Sequence, residues 1–288
     1  MELDYSKYFC GEDGYCLDYN KAKYVIVPVP YDGTSTWIKG ADKGPEAIIE
    51  ASGTLEMYDI PTGLDISTKG IFTQEAVTED SSPEAMTKAV EERISQCLKD
   101  GKFTILLGGE HSVSVGAFNA FAKKYNDLTV VQFDAHADLR VSYEGSRYNH
   151  ACAMSRAKDV ASIVQIGIRS ACQEDMDEMI PGTVFFRKDI RNNAEWQKDV
   201  CAQLKENVYI TIDLDAFDPS IMPSTGTPEP DGMLFNEVLT CIENICKTSK
   251  IVGLDVVELC PNKINKAPDF LAAKLIYRIL SIIEKESI

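Results

Sequence analysis

Apolar residues along the chain fall into short unbroken runs, separated by longer stretches in which they recur at helical spacing. The runs are Tyr24–Val29, Phe103–Leu107, Leu128–Phe133, Ile163–Ile168, Val184–Phe186, Val208–Ile212 and Ile251–Val257. They are rich in β-branched residues and continuously apolar rather than alternating, which predicts central parallel strands covered on both faces. Between them the spacing predicts helices over Pro45–Glu56, Pro83–Lys99, Val113–Lys124, Ala151–Asp159, Ala194–Glu206, Leu234–Thr248 and Pro268–Lys285. Ser82 ahead of Pro83 reads as a hydroxyl cap followed by proline in the first turn. Strands alternating with helices predict an α/β fold, a three-layer αβα sandwich around a central, mostly parallel sheet. No repeat, low-complexity tract or linker divides the sequence, so residues 1–288 read as a single domain.

Composition narrows the candidate partners. With 44% apolar and 26% charged residues the chain can bury a sizeable core. Lys plus Arg is 29 and Asp plus Glu is 45, a net charge of −16. That surface repels nucleic acid and anionic lipid, and it suits a small cationic substrate. The amino terminus, Met-Glu-Leu-Asp-Tyr, lacks the apolar core of a signal peptide. No apolar run approaches the ~18 residues of a membrane span. Nine cysteines without a Cys-x-x-Cys pair fit buried thiols in a reducing, cytoplasmic setting. Cys152 lies two residues after His150, but neighbours in sequence seldom form a nucleophile–base pair.

The chain holds only three histidines, His111, His136 and His150. Two of them sit in acidic motifs at strand ends. Gly108-Gly109-Glu110-His111 follows one apolar run, and the glycines are expected to turn the chain and present His111 at the strand tip. Asp134-Ala135-His136-Ala137-Asp138 follows another. In extended backbone residues 134, 136 and 138 point the same way, so two carboxylates and an imidazole converge. Asp213-Leu214-Asp215 repeats the device on a third strand, and Asp218-Pro219 breaks it off. Buried like charges need a counter-charge, and divalent cations supply it. Four Asp and two His balance two such ions, and this oxygen- and imidazole-rich set suits Mn²⁺, with Zn²⁺ or Co²⁺ fitting less well. Two ions at bonding separation make bound water nucleophilic near neutral pH, which points to hydrolysis.

Other residues fall around this cluster. His150, at the end of the polar loop Arg140–Asn149, is a candidate proton carrier, or else a surface residue at a helix start. Glu258 closes the last strand and is placed to hold a planar cation, or else is a solvated strand-end acid. Asp255, deeper in the same strand, is a candidate support for a ligand imidazole. The loop Asp218–Gly232, with four prolines and two glycines, lies where ligands usually meet a parallel sheet.

These motifs resemble the ureohydrolase family of arginases, agmatinases and their relatives. The match runs through Gly-Gly-Glu-His111, Asp134-Ala-His136-Ala-Asp138, Asp213-Leu-Asp215-Ala-Phe-Asp218-Pro219, Thr225-Gly-Thr-Pro-Glu-Pro230 and Leu254-Asp255-Val-Val-Glu258. Gly33-Thr34-Ser35 and Gly40–Pro45 also look like the family's opening segment. The resemblance implies an arginase-like fold and two Mn²⁺ per chain. One ion would take His111, Asp134, Asp138 and Asp213, the other Asp134, His136, Asp213 and Asp215. It implies a metal-bridging hydroxide attacking a guanidinium carbon, with Glu258 orienting that group and His150 carrying the proton to the leaving amine. It also implies a homo-oligomer, a trimer or hexamer.

Gly-Gly-Glu-His and Thr-Gly-Thr-Pro-Glu-Pro look more like agmatinases than arginases, so hydrolysis of agmatine to putrescine and urea is the expected reaction. Arg140 and Arg147 leave guanidino acids open, so guanidinobutyrase, arginase and formimidoylglutamase activities stand as alternatives. A zinc deacetylase-like enzyme is disfavoured by the six-ligand set. The surroundings of His150 (Asn149-His150-Ala151-Cys152) depart from the His-Gly of many relatives and bear on the substrate contacts of that loop.

Overall fold

Nine strands pair side by side, and every pairing between them is parallel. The computed structural model describes residues 3–287. The strands are β1 (Tyr15–Cys16), β2 (Tyr24–Val29), β3 (Ile71–Thr73), β4 (Phe103–Gly108), β5 (Leu128–Phe133), β6 (Ser162–Ile168), β7 (Val184–Phe186), β8 (Asn207–Asp213) and β9 (Lys250–Val257). Their order in the sheet is β1-β3-β2-β4-β9-β8-β5-β6-β7.

Both faces of the sheet are covered. Tyr24 and Ile26 of β2 pack into one apolar layer, and Val25, Val27 and Val29 into the other. β8 does the same with Val208, Ile210 and Ile212 against Tyr209. The first layer is closed by α1 (Gly44–Ser52), α5 (Phe235–Thr248) and α6 (Ala267–Glu286). The second is closed by α2 (Pro83–Lys99), α3 (Ser114–Lys124) and α4 (Ala153–Val160). The expected αβα sandwich is therefore present, and a strand buried on both faces has no polar position to spare.

Element ends shifted where local bonding overrode periodicity. The helix expected over Pro45–Glu56 stops at Ser52, where Gly53 and Thr54 turn the chain back onto Glu50 and Ala51. The helix expected over Ala194–Glu206 shrinks to Trp196–Cys201, because Thr129 takes the Lys205 amide and ties the segment to β5. The stretch expected as Ala151–Asp159 splits into a 3₁₀ turn at His150–Cys152 and α4. The short strands β1 and β3 and the helix Gln173–Glu178 were not expected from the pattern; they run two, three and six residues.

The four central strands β4, β9, β8 and β5 end along one edge, since all run the same way. Their packing depends on a glycine in β9: a Cβ at Gly253 would lie 2.3 Å from the Phe121 ring. That ring in turn lies 4.6 Å, centroid to centroid, from Tyr209. Phe121→Ala is expected to cost about 3–5 kcal/mol in a chemical unfolding titration, the range for emptying a buried phenyl site; a loss under about 1 kcal/mol would show that the ring does not hold this layer.

Candidate metal centre

Each acidic motif sits just past the carboxyl end of a central strand. β4 ends at Gly108, and His111 opens the 3₁₀ turn His111–Val113 that leads into α3. The glycines act by close approach rather than by a left-handed turn. A Cβ at Gly109 would fall 1.8 Å from the carbonyl oxygen of Tyr31, and the Gly109 amide donates to Val29 at 2.9 Å.

The segment after β5 corrects the extended-strand expectation. Residues 134–138 lie outside the strand. Asp134 Oδ1 accepts the His136 amide at 2.6 Å, and Asp138 sits at φ +52. The side chains converge because the loop folds back on itself. A left-handed aspartate is uncommon. Here it is held by its own carbonyl, which accepts from Met154 at 3.0 Å and Ser155 at 3.1 Å at the start of α4. On β8, Asp213 Oδ1 accepts the Asp215 amide at 2.9 Å and starts the turn Leu214–Ala216. Asp215 Oδ1 then accepts the Ala135 amide at 3.0 Å, tying two strand tips together.

Two donor clusters result, His111–Asp134–Asp213 and Asp134–His136–Asp215. His111 Nδ1 stands 3.0 Å from Asp138 Oδ2, 3.2 Å from Asp134 Oδ2 and 3.5 Å from Asp213 Oδ2. His136 Nδ1 stands 2.9 Å from Asp215 Oδ2 and 3.6 Å from Asp134 Oδ1. Asp134 thus offers one oxygen to each cluster. Asp213 falls in the first cluster only, and its Oδ1 accepts the Asp215 amide.

The donor set fits divalent cations. His111 Nδ1 is buried without a formed hydrogen bond. Behind the ring, Nε2 is 2.9 Å from Thr211 Oγ1, which lies 2.6 Å from Asp255 Oδ1. Tyr209 holds the other Asp255 oxygen at 2.8 Å. With the threonine proton given to Asp255, Thr211 accepts from Nε2–H, and the Nδ1 lone pair faces the carboxylates as a ligand does. Charge points the same way. Burial, then Asp215 and Asp134, hold the Asp213 carboxyl well above its ordinary range. Burial and Asp134 push Asp138 up to about 6. Burial opposes charge on His111, but the facing carboxylates outweigh it and raise its pKa. This cluster binds protons for want of positive charge, and a cation answers the same need.

A cavity of about 320 Å³ opens above the clusters, lined by His136, Asp138, Asp213, Asp215, His150 and Glu258 among others. Glu258 sits at φ +68, with its amide on the Gly109 carbonyl at 2.8 Å and Oε1 accepting the His111 amide at 2.9 Å. Burial, then Glu110, raises its pKa well above the usual range. Arg140 lines the cavity with its guanidinium 4.1 Å from the Tyr143 ring centroid. Arg147 does not; it faces Asp159 at 3.6 Å. Asp218 accepts the Ser220 and Gly232 amides and shapes the following loop. Cys152 is buried with its thiol pushed up to about 11, chiefly by burial, which does not suit a nucleophile.

Sequence reasoning missed Thr211 because a threonine within an apolar strand looks like ordinary strand composition. It also missed Arg169, which donates to the carbonyls of Asp215 at 2.7 Å, Glu229 at 2.9 Å and Pro230 at 3.0 Å. That one side chain fastens the loop Asp218–Gly232 to the β8 tip.

Comparison with known proteins agrees with this geometry. Residues 22–281 match the arginase family. An N(1)-aminopropylagmatine ureohydrolase of Synechocystis is 36% identical over 91% of this chain and 89% of its own. The agmatinase of Pyrococcus horikoshii is 34% identical over 92% and 94% of the two chains. Among solved structures, the agmatine ureohydrolase of Thermoplasma volcanium superposes with a TM-score of 0.89 at 34% identity, covering 99% of this chain and 96% of that one.

Thr211→Val is expected to weaken divalent-cation affinity by about 10–100-fold, the usual cost of losing support behind a ligand imidazole. Calorimetric titration of the metal-stripped protein reads this directly, and an unchanged affinity would remove Thr211 from the centre.

Proposed function

This chain belongs to the arginase family of hydrolases, and on that premise we propose that it hydrolyses agmatine to putrescine and urea with two Mn²⁺ per chain. The observation that carries the reading is the pair of His/Asp clusters sharing Asp134 beneath one cavity. His111, Asp134, Asp138 and Asp213 would hold one ion. Asp134, His136 and Asp215 would hold the other, with Asp213 shared as the family resemblance implies. Bound divalent ions supply Lewis acidity, which makes water nucleophilic near neutral pH.

The chain's own residues do the rest. Glu258, anchored by the His111 amide, accepts N–H bonds from the planar guanidinium and sets its carbon over the clusters. His150 lines the same cavity; as a water oxygen bonds to the guanidinium carbon, His150 takes up the proton that water sheds and passes it to the departing amine nitrogen, so that the C–N bond breaks to an amine and urea. Burial pushes the pKa of His150 down to about 4, so it rests neutral and releases an acquired proton readily.

An amine-tailed substrate suits the acidic chain, with its net charge of −16. Outside the two clusters and Glu258, the charged groups lining the cavity are Asp175 and Arg140. A second reading, N(1)-aminopropylagmatine, is favoured by the relative named for that substrate. Both readings place a cation at the tail. The proposal extends to residues 1–288 acting as one catalytic unit and to a homo-oligomer, a trimer or hexamer, in the cytoplasm. The location is supported by cysteines that are all free thiols among the described residues. Among those residues no helix is long and apolar enough to cross a membrane.

Two outcomes follow. In Mn²⁺-loaded protein, kcat/KM for agmatine or aminopropylagmatine is expected to exceed that for arginine and guanidinobutyrate by at least about tenfold, as the acidic surface directs. Preference for a carboxylate tail would overturn the substrate assignment. Glu258→Gln is expected to retain both ions by elemental analysis while kcat/KM falls about 100–1,000-fold. Full turnover in that variant would release Glu258 from its role.

A further inference from the structure

His150 is held from behind by a second threonine–carboxylate pair, on the opposite nitrogen from the one used at His111. Its Nδ1 lies 3.2 Å from Thr34 Oγ1, and its backbone amide donates to the same oxygen at 2.9 Å. Thr34 is buried. Its hydroxyl lies 2.8 Å from Glu110 Oε1, and its amide donates to that oxygen at 3.2 Å. Ser112 adds its hydroxyl to Oε1 at 2.9 Å and its amide to Oε2 at 2.7 Å. Glu110 thus accepts from four donors, with a backbone amide on each of its oxygens.

We propose that Thr34 and Glu110 are positioning residues that lock His150 as its Nδ1–H tautomer, leaving Nε2 as the basic nitrogen for proton transfer. A hydroxyl has one proton and two lone pairs. The Thr34 proton goes to Glu110, a carboxylate that only accepts. One lone pair takes the His150 amide. The other faces Nδ1, and only an N–H there makes a bond. In the alternative tautomer either two lone pairs oppose each other at 3.2 Å, or the Thr34 proton turns to Nδ1 and leaves its oxygen against Glu110 Oε1 at 2.8 Å with no proton between them; each costs on the order of 1–3 kcal/mol in a buried site.

The contrast with His111 gives the device its meaning. At His111, Thr211 and Asp255 occupy Nε2 and free Nδ1 to face the carboxylates. At His150, Thr34 and Glu110 occupy Nδ1, and among the described residues Nε2 has no hydrogen-bond partner. One chain thus uses the same two-residue support twice, with opposite tautomers, for ligation and for proton transfer. Thr34 lies 116 residues from His150 in sequence, so no local pattern reveals the pair.

The inference rests on the hydrolase reading of His150, but its test does not. Protein labelled with ¹⁵N in its histidine rings, loaded with diamagnetic zinc, gives ring signals from only three residues. The signals missing in His150→Asn assign the ring. The expected wild-type result is a protonated Nδ1 and an unprotonated Nε2. Thr34→Val is expected to yield a mixture of tautomers. With Mn²⁺ restored its kcat is expected to fall about 10–100-fold, a part of the roughly 10²–10⁴-fold that an acid–base group contributes. KM is expected to stay within about twofold, and Thr34→Ser is expected to recover most of the loss. A wild-type ring protonated at Nε2 would overturn the proposal, even if Thr34→Val failed to fold. So would a folded Thr34→Val protein with unchanged tautomer and kcat. A protein with the expected ring state that turned over no guanidino compound would sink the hydrolase reading instead.

Discussion

The structure turns on one electrostatic constraint: several carboxylates are gathered at one edge of a buried sheet with too little positive charge beside them. Asp134, Asp138, Asp213 and Asp215 are all buried. Placing like charges a few ångströms apart in a low-dielectric interior costs several kcal/mol per ion unless a partner compensates. Two imidazoles do part of this, and the raised pKa values of Asp138 and Asp213 show that part is not enough. In the proposed reading, divalent ions supply the remainder, and the same charge that holds the cluster together makes water reactive.

The scaffold makes that concentration of charge geometrically available. A wholly parallel sheet sends the carboxyl ends of β4, β9, β8 and β5 to one edge. The apolar strand bodies lock the register, so a side chain one residue past a strand end has a defined position. That edge carries irregular backbone, with Asp138 and Glu258 both in the left-handed region. Such conformations persist only where surrounding bonds over-determine them. Here the start of α4 holds Asp138 and the Gly109 carbonyl holds Glu258. Arg169 extends the same logic to the loop Asp218–Gly232, donating to the carbonyls of Asp215, Glu229 and Pro230.

What could be read from the sequence follows from how local each cause is. Seven of the nine strands were legible, six of them because burial on both faces forces unbroken apolar runs. The acidic motifs were legible because aspartate at a strand end is chemically expensive without a counter-charge. The reason for convergence at 134–138 was not legible. Strand periodicity gave the right residues through the wrong geometry, since the fold-back depends on the Asp134–His136 contact and on α4. Helix ends at Ser52 and Cys201 were set by turns and by Thr129, which is distant in sequence. The residues behind the ligands were hidden for the same reason. Thr211 reaches His111 across 100 positions and Thr34 reaches His150 across 116.

The two threonine–carboxylate supports connect the scaffold to the chemistry. Thr211 with Asp255 belongs to strand bodies and inherits their rigidity. Thr34 with Glu110 links the segment after β2 to the tip of β4. Each turns a flexible imidazole into a group with one available nitrogen. The shared carboxylate of Asp134 is the point on which both donor clusters depend. The most direct measurement is therefore a count of Mn²⁺ per chain, by elemental analysis after loading and gel filtration, in wild-type protein and in Asp134→Asn. Two ions in the wild type and at most one in the variant are the predicted result; a wild-type chain retaining fewer than two, or a variant retaining both, would contradict the account.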